Sequence, residues 1–363
     1  MSGDGRAGRA AQDSAADVAV IVPCHEYGRF LRRCVDSALG QDGVAVRVLV
    51  IDDASTDDTA QVAQALAGED ARVQVRRHAL NQGHIRTYNE GLRWAVDSGA
   101  RALLLLSADD WLLPGALRRA LRLLDAHPKV GLVFGRARLA LEGVAGEAPR
   151  FAPWPEPLPG LGRGGAPGAW RVLTGAEFIE ACGARNAVPT PTAVVRCTVQ
   201  ARTGGYDPAL PHTADMHMWL RLAAEADVGV LADEQAAYRC HASNMSRAWA
   251  ADSRLPDLLA RQDAIASFLA GPGAGLPQAP RLRRHLHRAL ARDALSAASG
   301  ALDAGQPAAS QRLEQLALRA SPEVRRTGAW LRWRTKRRLG LRWWRRLRLD
   351  TLGAAWRRLR TPA

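Results

Sequence analysis

Three short apolar runs constrain this chain more than anything else in it. Residues 16–22 (ADVAVIV), 44–51 (VAVRVLVI) and 102–106 (ALLLL) are too short for buried helices and are cut off by polar clusters. Runs of that length and composition read as strands inside a sheet covered on both faces. Between them apolar residues return at helical spacing, as at Phe30, Leu31, Cys34, Val35 and Ala38 within 27–39. The same reading gives helices over 59–66 and 89–96 and a short strand at 73–75. Alternation of strand and helix implies βαβ units, hence an α/β fold with a mostly parallel sheet flanked by helices. In such sheets ligands bind beyond the carboxyl ends of the strands. The clusters PCHEYG (23–28), DDASTDD (52–58), NQGH (81–84) and SADD (107–110) all follow strands and are expected to share one rim.

Further along, 143–169 is rich in Gly and Pro and reads as a long loop. Helices are expected near 175–181 and over 216–226, and strands at 193–196 and 228–231. From 247 onward the chain is rich in Ala, Leu and Arg and reads as helical. The organisation expected is a disordered lead-in (1–15), two α/β halves (16–125 and 126–247), a helical extension (248–320) and a basic tail (321–363).

Charge is concentrated. From Arg325 onward there are fourteen Lys or Arg and one acid, Asp350, so nearly all of the net charge of +14 lies in the tail. Trp330, Trp333, Trp343, Trp344 and Trp356 stand among those arginines, and Leu349, Leu352, Trp356 and Leu359 keep helical spacing. Basic residues with Trp and Leu on one face suit an anionic membrane surface. A solvated terminal helix is the plain alternative; nucleic acid fits less well, since no nucleic-acid motif accompanies the tail. No run of about 18 apolar residues is present, and the lead-in lacks the apolar segment of a signal peptide. Cys24, Cys34, Cys182, Cys197 and Cys240 are odd in number and lack CxxC spacing, which fits reduced thiols and a cytoplasmic setting.

Several clusters carry chemistry, each beside a plain structural role. In DDASTDDT, Ser55 or Asp57 could cap a helix, while Asp53 could accept a hydrogen bond from a ligand ring. In NQGHIRTYNEG, Gly83 makes a turn, and the backbone and Arg86 could meet an anion. Asp109 and Asp110 could cap the helix after Pro114, or hold a divalent cation that relieves their repulsion. Asp215 could be an N-cap or a general base. His241, after a strand, could be structural or a ligand.

Taken together, in order, VAVIVPCHEYGRFLRRCVDSAL, VIDDASTDDT, NQGHIRTYNEG, LLLLSADDWLLPGAL, GGYDPALPHTADMHMWLRL and YRCHASNMS resemble the inverting family 2 glycosyltransferases of the GT-A fold, over about 18–246. The resemblance implies hexosyl transfer from a nucleotide-sugar, of the UDP type, to a hydroxyl acceptor such as a lipid-linked or cell-envelope glycan. It implies a divalent cation, Mg²⁺ or Mn²⁺; with a lipid-linked acceptor, the basic tail would suit a peripheral position on the inner face of the cell membrane. Residue by residue it implies donor contacts at Pro23, Cys24, His25, Glu26, Asp53, Gly83, Arg86 and Asp110. It implies a cation at Asp109 with His241 near the diphosphate, and Asp215 as the base. The chain departs from the family pattern at Ser107, usually Asp, at Ala214, often Glu, and at Cys24-His25. Ser107 and Ala214 leave a second class open, a non-catalytic binding or assembly protein of the same fold.

Overall fold

The first apolar run becomes β1 (Val18–Cys24), parallel to β2 (Val46–Asp52), with Val18 opposite Val46 and Cys24 opposite Asp52. The computed structural model describes residues 16–142, 149–162, 165–242, 244 and 254–346. β2 pairs in parallel with β3 (Val73–Arg77), and β1 pairs on its other side with β4 (Ala102–Leu105). The connections are α1 (Gly28–Leu39), α2 (Thr59–Glu69) and α3 (His84–Asp97). Side chains alternate across a strand. β1 therefore sends Val18, Val20 and Val22 into one core with α1 and α2, and Ala19 and Ile21 into a second core with α3. Burial on both faces is why the run is apolar throughout. Gly91 lets α3 close on β1, since a Cβ there would stand 2.2 Å from Ile21 Cγ2.

Beyond β4 the sheet becomes mixed. β4 pairs antiparallel with β9 (Val194–Arg196), β9 pairs antiparallel with β6 (Val130–Leu141), and β6 runs parallel to β10 (Asp227–Cys240). β5 (Trp111–Leu112) closes that edge against β10; β7 (Arg150–Pro153) adds to β6 and β8 (Trp170–Leu173) adds to β10. The expected parallel sheet thus holds from β3 to β4 and gives way to antiparallel pairing in the other half. The sequence reading has no strand at 130–141 and only the first part of β10. Both strands interleave apolar residues with Arg, Asp or Glu, and it is their mutual pairing that makes them strands. β7 and its partner β6 also draw part of 143–169 into the sheet, where a loop is expected.

Four further helices build the second half: α4 (Ala116–Ala126), α5 (Gly175–Cys182), α6 (Cys197–Thr203) and α7 (Ala214–Glu225). A capping box starts α5. The Thr174 hydroxyl accepts from Glu177 N, and Glu177 Oε2 accepts from Thr174 N at 2.8 Å. Where α5 crosses α7, a Cβ on Gly175 would meet the Ala223 carbonyl oxygen at 1.7 Å. That neighbour is backbone and cannot swing away. Gly175→Ala is expected to destabilise the protein by about 2–3 kcal/mol through overpacking, read as a lower urea midpoint with unchanged slope.

The C-terminal part is helical: α8 (Leu255–Ala270), α9 (Ala279–Asp303), α10 (Pro307–Ala320) and α11 (Gly328–Arg346). Phe268, Leu290 and Leu313 belong to the same core cluster as Phe178 and Trp219. Trp330 and Trp333 join that cluster at 9% and 3% exposure, with ring centroids 5.1 Å apart. Lys336 is buried beside them and donates to Asp303 Oδ2 at 2.6 Å. This corrects the reading of 325–360 as one membrane-facing surface, because the first tryptophans of α11 pack inward onto α9 and α10. Residues 347–363, with Trp356, and the lead-in 1–15 lie outside the described residues. Among the described residues no helix is long and apolar enough to cross a membrane.

Candidate active site

The ends of β1, β2 and β3 form one rim. Glu26 and Ala54 sit there with φ of 60° and 59°, a left-handed conformation that side chains rarely adopt. Each loop is tied to the other. Glu26 N donates to Ser55 Oγ at 3.0 Å, and Glu26 Oε1 accepts from Thr56 N at 2.7 Å. Gly28 N donates to Asp57 Oδ2 at 3.1 Å, and Asp57 Oδ1 accepts from Thr59 N at 3.0 Å, opening α2. His25 Nε2 lies 3.1 Å from Asn81 Nδ2.

Asp53 is the anchor of this rim. Its carboxylate accepts from Gln82 N at 2.7 Å and from Gly83 N at 2.9 Å, and lies 2.7 Å from His78 Nδ1. The other His78 nitrogen, Nε2, lies 2.9 Å from Glu90 Oε2 on α3. Burial opposes ionisation of Asp53, but hydrogen bonds from Gln82, His78 and Gly83 outweigh it and hold the acid below its ordinary value. Burial also opposes the imidazolium of His78, but Asp53 and Glu90 raise it above its ordinary value. A raised histidine contributes stability that is complete below its unfolded value, about 6.5, and is lost as pH rises through the folded value. His78→Gln is therefore expected to lose about 2 kcal/mol in mildly acid buffer. The gap to wild type should narrow at alkaline pH in paired urea titrations; a gap independent of pH would mean that His78 acts as a neutral packing residue.

The end of β4 delivers Asp109 and Asp110, both buried. Asp109 Oδ2 lies 3.0 Å from His241 Nε2 and 3.4 Å from Asn244 Nδ2. Asp109 Oδ1 is buried with no hydrogen-bond partner among the described residues. Asp110 Oδ1 accepts from Arg239 N at 2.9 Å, and Arg239 Nε donates to the Asp109 carbonyl oxygen at 2.9 Å. Burial, then the neighbouring Asp109, pushes Asp110 well above its ordinary value. The His241 ring packs against Tyr27 and Phe30, at 5.5 and 5.2 Å between centroids.

Asp215 lies in the first turn of α7, half-buried. Its Oδ2 accepts from Thr190 Oγ1 at 2.8 Å. Burial raises its pKa above the ordinary value against the opposing hydrogen bonds from Thr190 and Tyr206 and the charge of His84. Tyr88 of α3 stacks edge-on against Tyr206 and His84, at 5.5 Å in each case. The fields of both Asp215 and Asp109 raise its hydroxyl pKa further once burial has done so. Tyr88 thus feels the charge of both acids.

The structure brings together His25, Glu26, Asp53 and Gly83 on one rim, and Asp109, Asp110 and His241 on another part of it. Cys24 and Pro23 differ from expectation as side-chain contacts, because both side chains are buried in β1. The Cys24 thiol faces Thr59, burial pushes its pKa up to about 12, and its carbonyl already accepts from Asp53 N at 2.9 Å. Arg86 is exposed on α3 and makes no ion pair among the described residues. His78, Arg239, Asn244, Thr190 and Tyr206 complete the site without having been singled out from sequence. Asn244 and Arg239 flank His241 inside YRCHASNMS, and Tyr206 lies in the motif that holds Asp215, so only their position beside expected site residues marks them.

Residues 19–158 match the model of Glycosyl transferase family 2. The chain is 28% identical over 218 residues to the uncharacterized protein MT1568 of Mycobacterium tuberculosis (strain CDC 1551 / Oshkosh), covering 58% of this chain and 63% of that protein. It is 31% identical over 127 residues to the GalNAc(5)-diNAcBac-PP-undecaprenol beta-1,3-glucosyltransferase of Campylobacter jejuni, covering 35% and 40%. The chain thus spans less than two thirds of the length of these relatives. Its fold superposes on S. aureus TarS 1-349 in complex with UDP-GlcNAc with a TM-score of 0.59 at 16% identity, covering 83% of this chain and 79% of that one. The likeness to TarS is one of fold, a central sheet flanked by helices of the GT-A type. Over residues 19–158 the chain is thus similar to glycosyl transferase family 2.

Proposed function

We propose that the protein transfers a sugar from a nucleotide-sugar to a hydroxyl acceptor with inversion at the anomeric carbon. The observation that carries this reading is Asp215 at the start of α7, held by Thr190 at 2.8 Å and raised above the ordinary carboxylate value by burial, together with a buried Asp109 oxygen that has no hydrogen-bond partner among the described residues. Asp215 would take the acceptor proton. Its raised pKa makes it a stronger base than a solvated carboxylate, and Thr190 aims the oxygen. One base on the acceptor side suffices for a single displacement, unlike glycoside hydrolysis, which normally uses two carboxylates. The donor would lie along the β1 and β2 ends, with the base near Asp53 and the phosphates toward Asp109.

Asp109 Oδ1, a buried acceptor without a hydrogen-bond partner among the described residues, fits a cation, whereas Asp52 Oδ2, also without a hydrogen bond, already faces the Arg77 guanidinium at 3.2 Å. Asp109 and His241 would hold Mg²⁺ or Mn²⁺. Among the described residues no three His, Cys, Asp or Glu side chains form a full cage, which suits an ion completed by substrate phosphates. When bound, such an ion neutralises charge on the departing diphosphate. The UDP-GlcNAc in the TarS complex and the undecaprenol-linked substrate in the name of the Campylobacter relative support a UDP-sugar donor and a lipid-linked acceptor. We place the protein in the cytoplasm, at the inner face of the cell membrane.

The test is a panel of UDP- and GDP-sugars, with and without Mn²⁺, scored by thermal shift and by released nucleotide. A donor should raise the unfolding midpoint and release nucleotide slowly in the absence of acceptor. Binding without any release, even with cell-envelope glycolipid added, would favour the non-catalytic class suggested by Ser107 and Ala214.

A further inference from the structure

Next to Asp109 an unbroken series of arginines and rings runs to the protein surface. The Arg29 guanidinium lies 4.4 Å from the Phe30 centroid, and Arg239 covers the same ring at 4.3 Å. Arg239 also lies 4.8 Å from Trp111, and Arg33 lies 3.6 Å from that ring. Trp111 meets Phe151 edge-on at 6.4 Å, and Arg138 covers Phe151 at 5.2 Å. Three of these groups face outward: Arg29 and Arg33 are exposed, and Phe151 is 51% exposed. Arg138 is paired with Glu234 at 3.0 Å, but among the described residues Arg29 and Arg33 have no carboxylate partner.

Stacking on rings does not explain the charge. Glu142, Asp109 and Asp110 offset the charge of Arg239, but Arg239 is repelled by Arg29, and burial followed by Arg239 lowers the pKa of Arg33, which has no carboxylate beside it among the described residues. A lone structural stack would hold one cation per ring; here Phe30 and Trp111 each carry two. An external anion relieves that crowding. The exposed aromatic at the end of the series adds an apolar element that a free phosphate would not use. Cations with apolar stems beside an exposed ring match the chemistry of a bilayer interface, where phosphates lie above acyl chains.

We propose that this face docks on an anionic phospholipid bilayer, with Arg29 and Arg33 meeting lipid phosphates and Phe151 entering the headgroup boundary. The inference rests on the lipid-linked acceptor reading for its purpose, since Arg239, which donates to the Asp109 carbonyl oxygen, ties this face to Asp109. The docking surface lies on α1 and β7.

The experiment is flotation of the full chain with phosphatidylcholine vesicles, with and without phosphatidylglycerol. Wild type is expected to float only with phosphatidylglycerol. The double variant Arg29→Glu/Arg33→Glu is expected to lose partition by at least about tenfold, each basic residue near such a surface being worth about 1 kcal/mol. Phe151→Asp is expected to weaken flotation as well. Because Phe151 is half exposed, that variant decides the matter if the double variant fails to fold by circular dichroism. Wild-type flotation by both variants, or no flotation of wild type, overturns the proposal. Nucleotide release without vesicles, measured on the same wild-type preparation, tests the transferase reading separately.

Discussion

Asp215→Asn is expected to remove sugar transfer, lowering kcat by about 10²–10⁴-fold, while donor affinity in a thermal-shift titration stays near wild type. Asn keeps the shape and can still meet Thr190 but cannot take a proton. In wild type the acid limb of the kcat profile is expected above the ordinary carboxylate range, because burial raises Asp215. The same shift has a sign for stability. A carboxyl whose folded pKa is raised favours the folded state while protonated, and that contribution is lost as pH rises above the unfolded value. At neutral pH the ionised acid is a cost, so Asp215→Asn is expected to unfold at a higher temperature than wild type. Full transfer by the variant would remove Asp215 from the role of base. A lower midpoint would show that its negative charge is structurally required.

Asp109→Ala is expected to damage donor binding and turnover together, with kcat/KM falling roughly thousandfold or more if a cation contributes several kcal/mol at that point. Chelation of wild type should reproduce most of the loss, and added Mn²⁺ should restore wild type but not the variant. His241→Ala should lose less, since it shares only one Asp109 oxygen while Oδ1 keeps its open position. Transfer by Asp109→Ala that equals wild type in chelator and in Mn²⁺ would leave the unpaired oxygen without a function.

Much of this was readable from residues. A strand buried on both faces must be apolar throughout, so β1, β2 and β4 announce themselves, and with them the rim on which Asp53 and Asp109 stand. β6 and β10 do not, because their arginines and acids are tolerated only once each strand has found the other. The tryptophans of α11 illustrate the opposite limit. Two Trp three residues apart among arginines read the same whether they face lipid or a neighbouring helix, and only the packing of α9 and α10 decides for Trp330 and Trp333. Asp53 was visible as a rim acid, but not His78, which lies 25 residues on and reaches it through β3 pairing.

The paired left-handed residues at the ends of β1 and β2 bear on how quickly a donor is captured. Glu26 is locked by Ser55 and Thr56 of the other loop, and Gly28 by Asp57, so neither loop can move without breaking the other. The rim is thus set before any ligand arrives, and no ordering step precedes capture. Stopped-flow association of a nucleotide-sugar should accordingly follow a single exponential whose rate rises linearly with concentration.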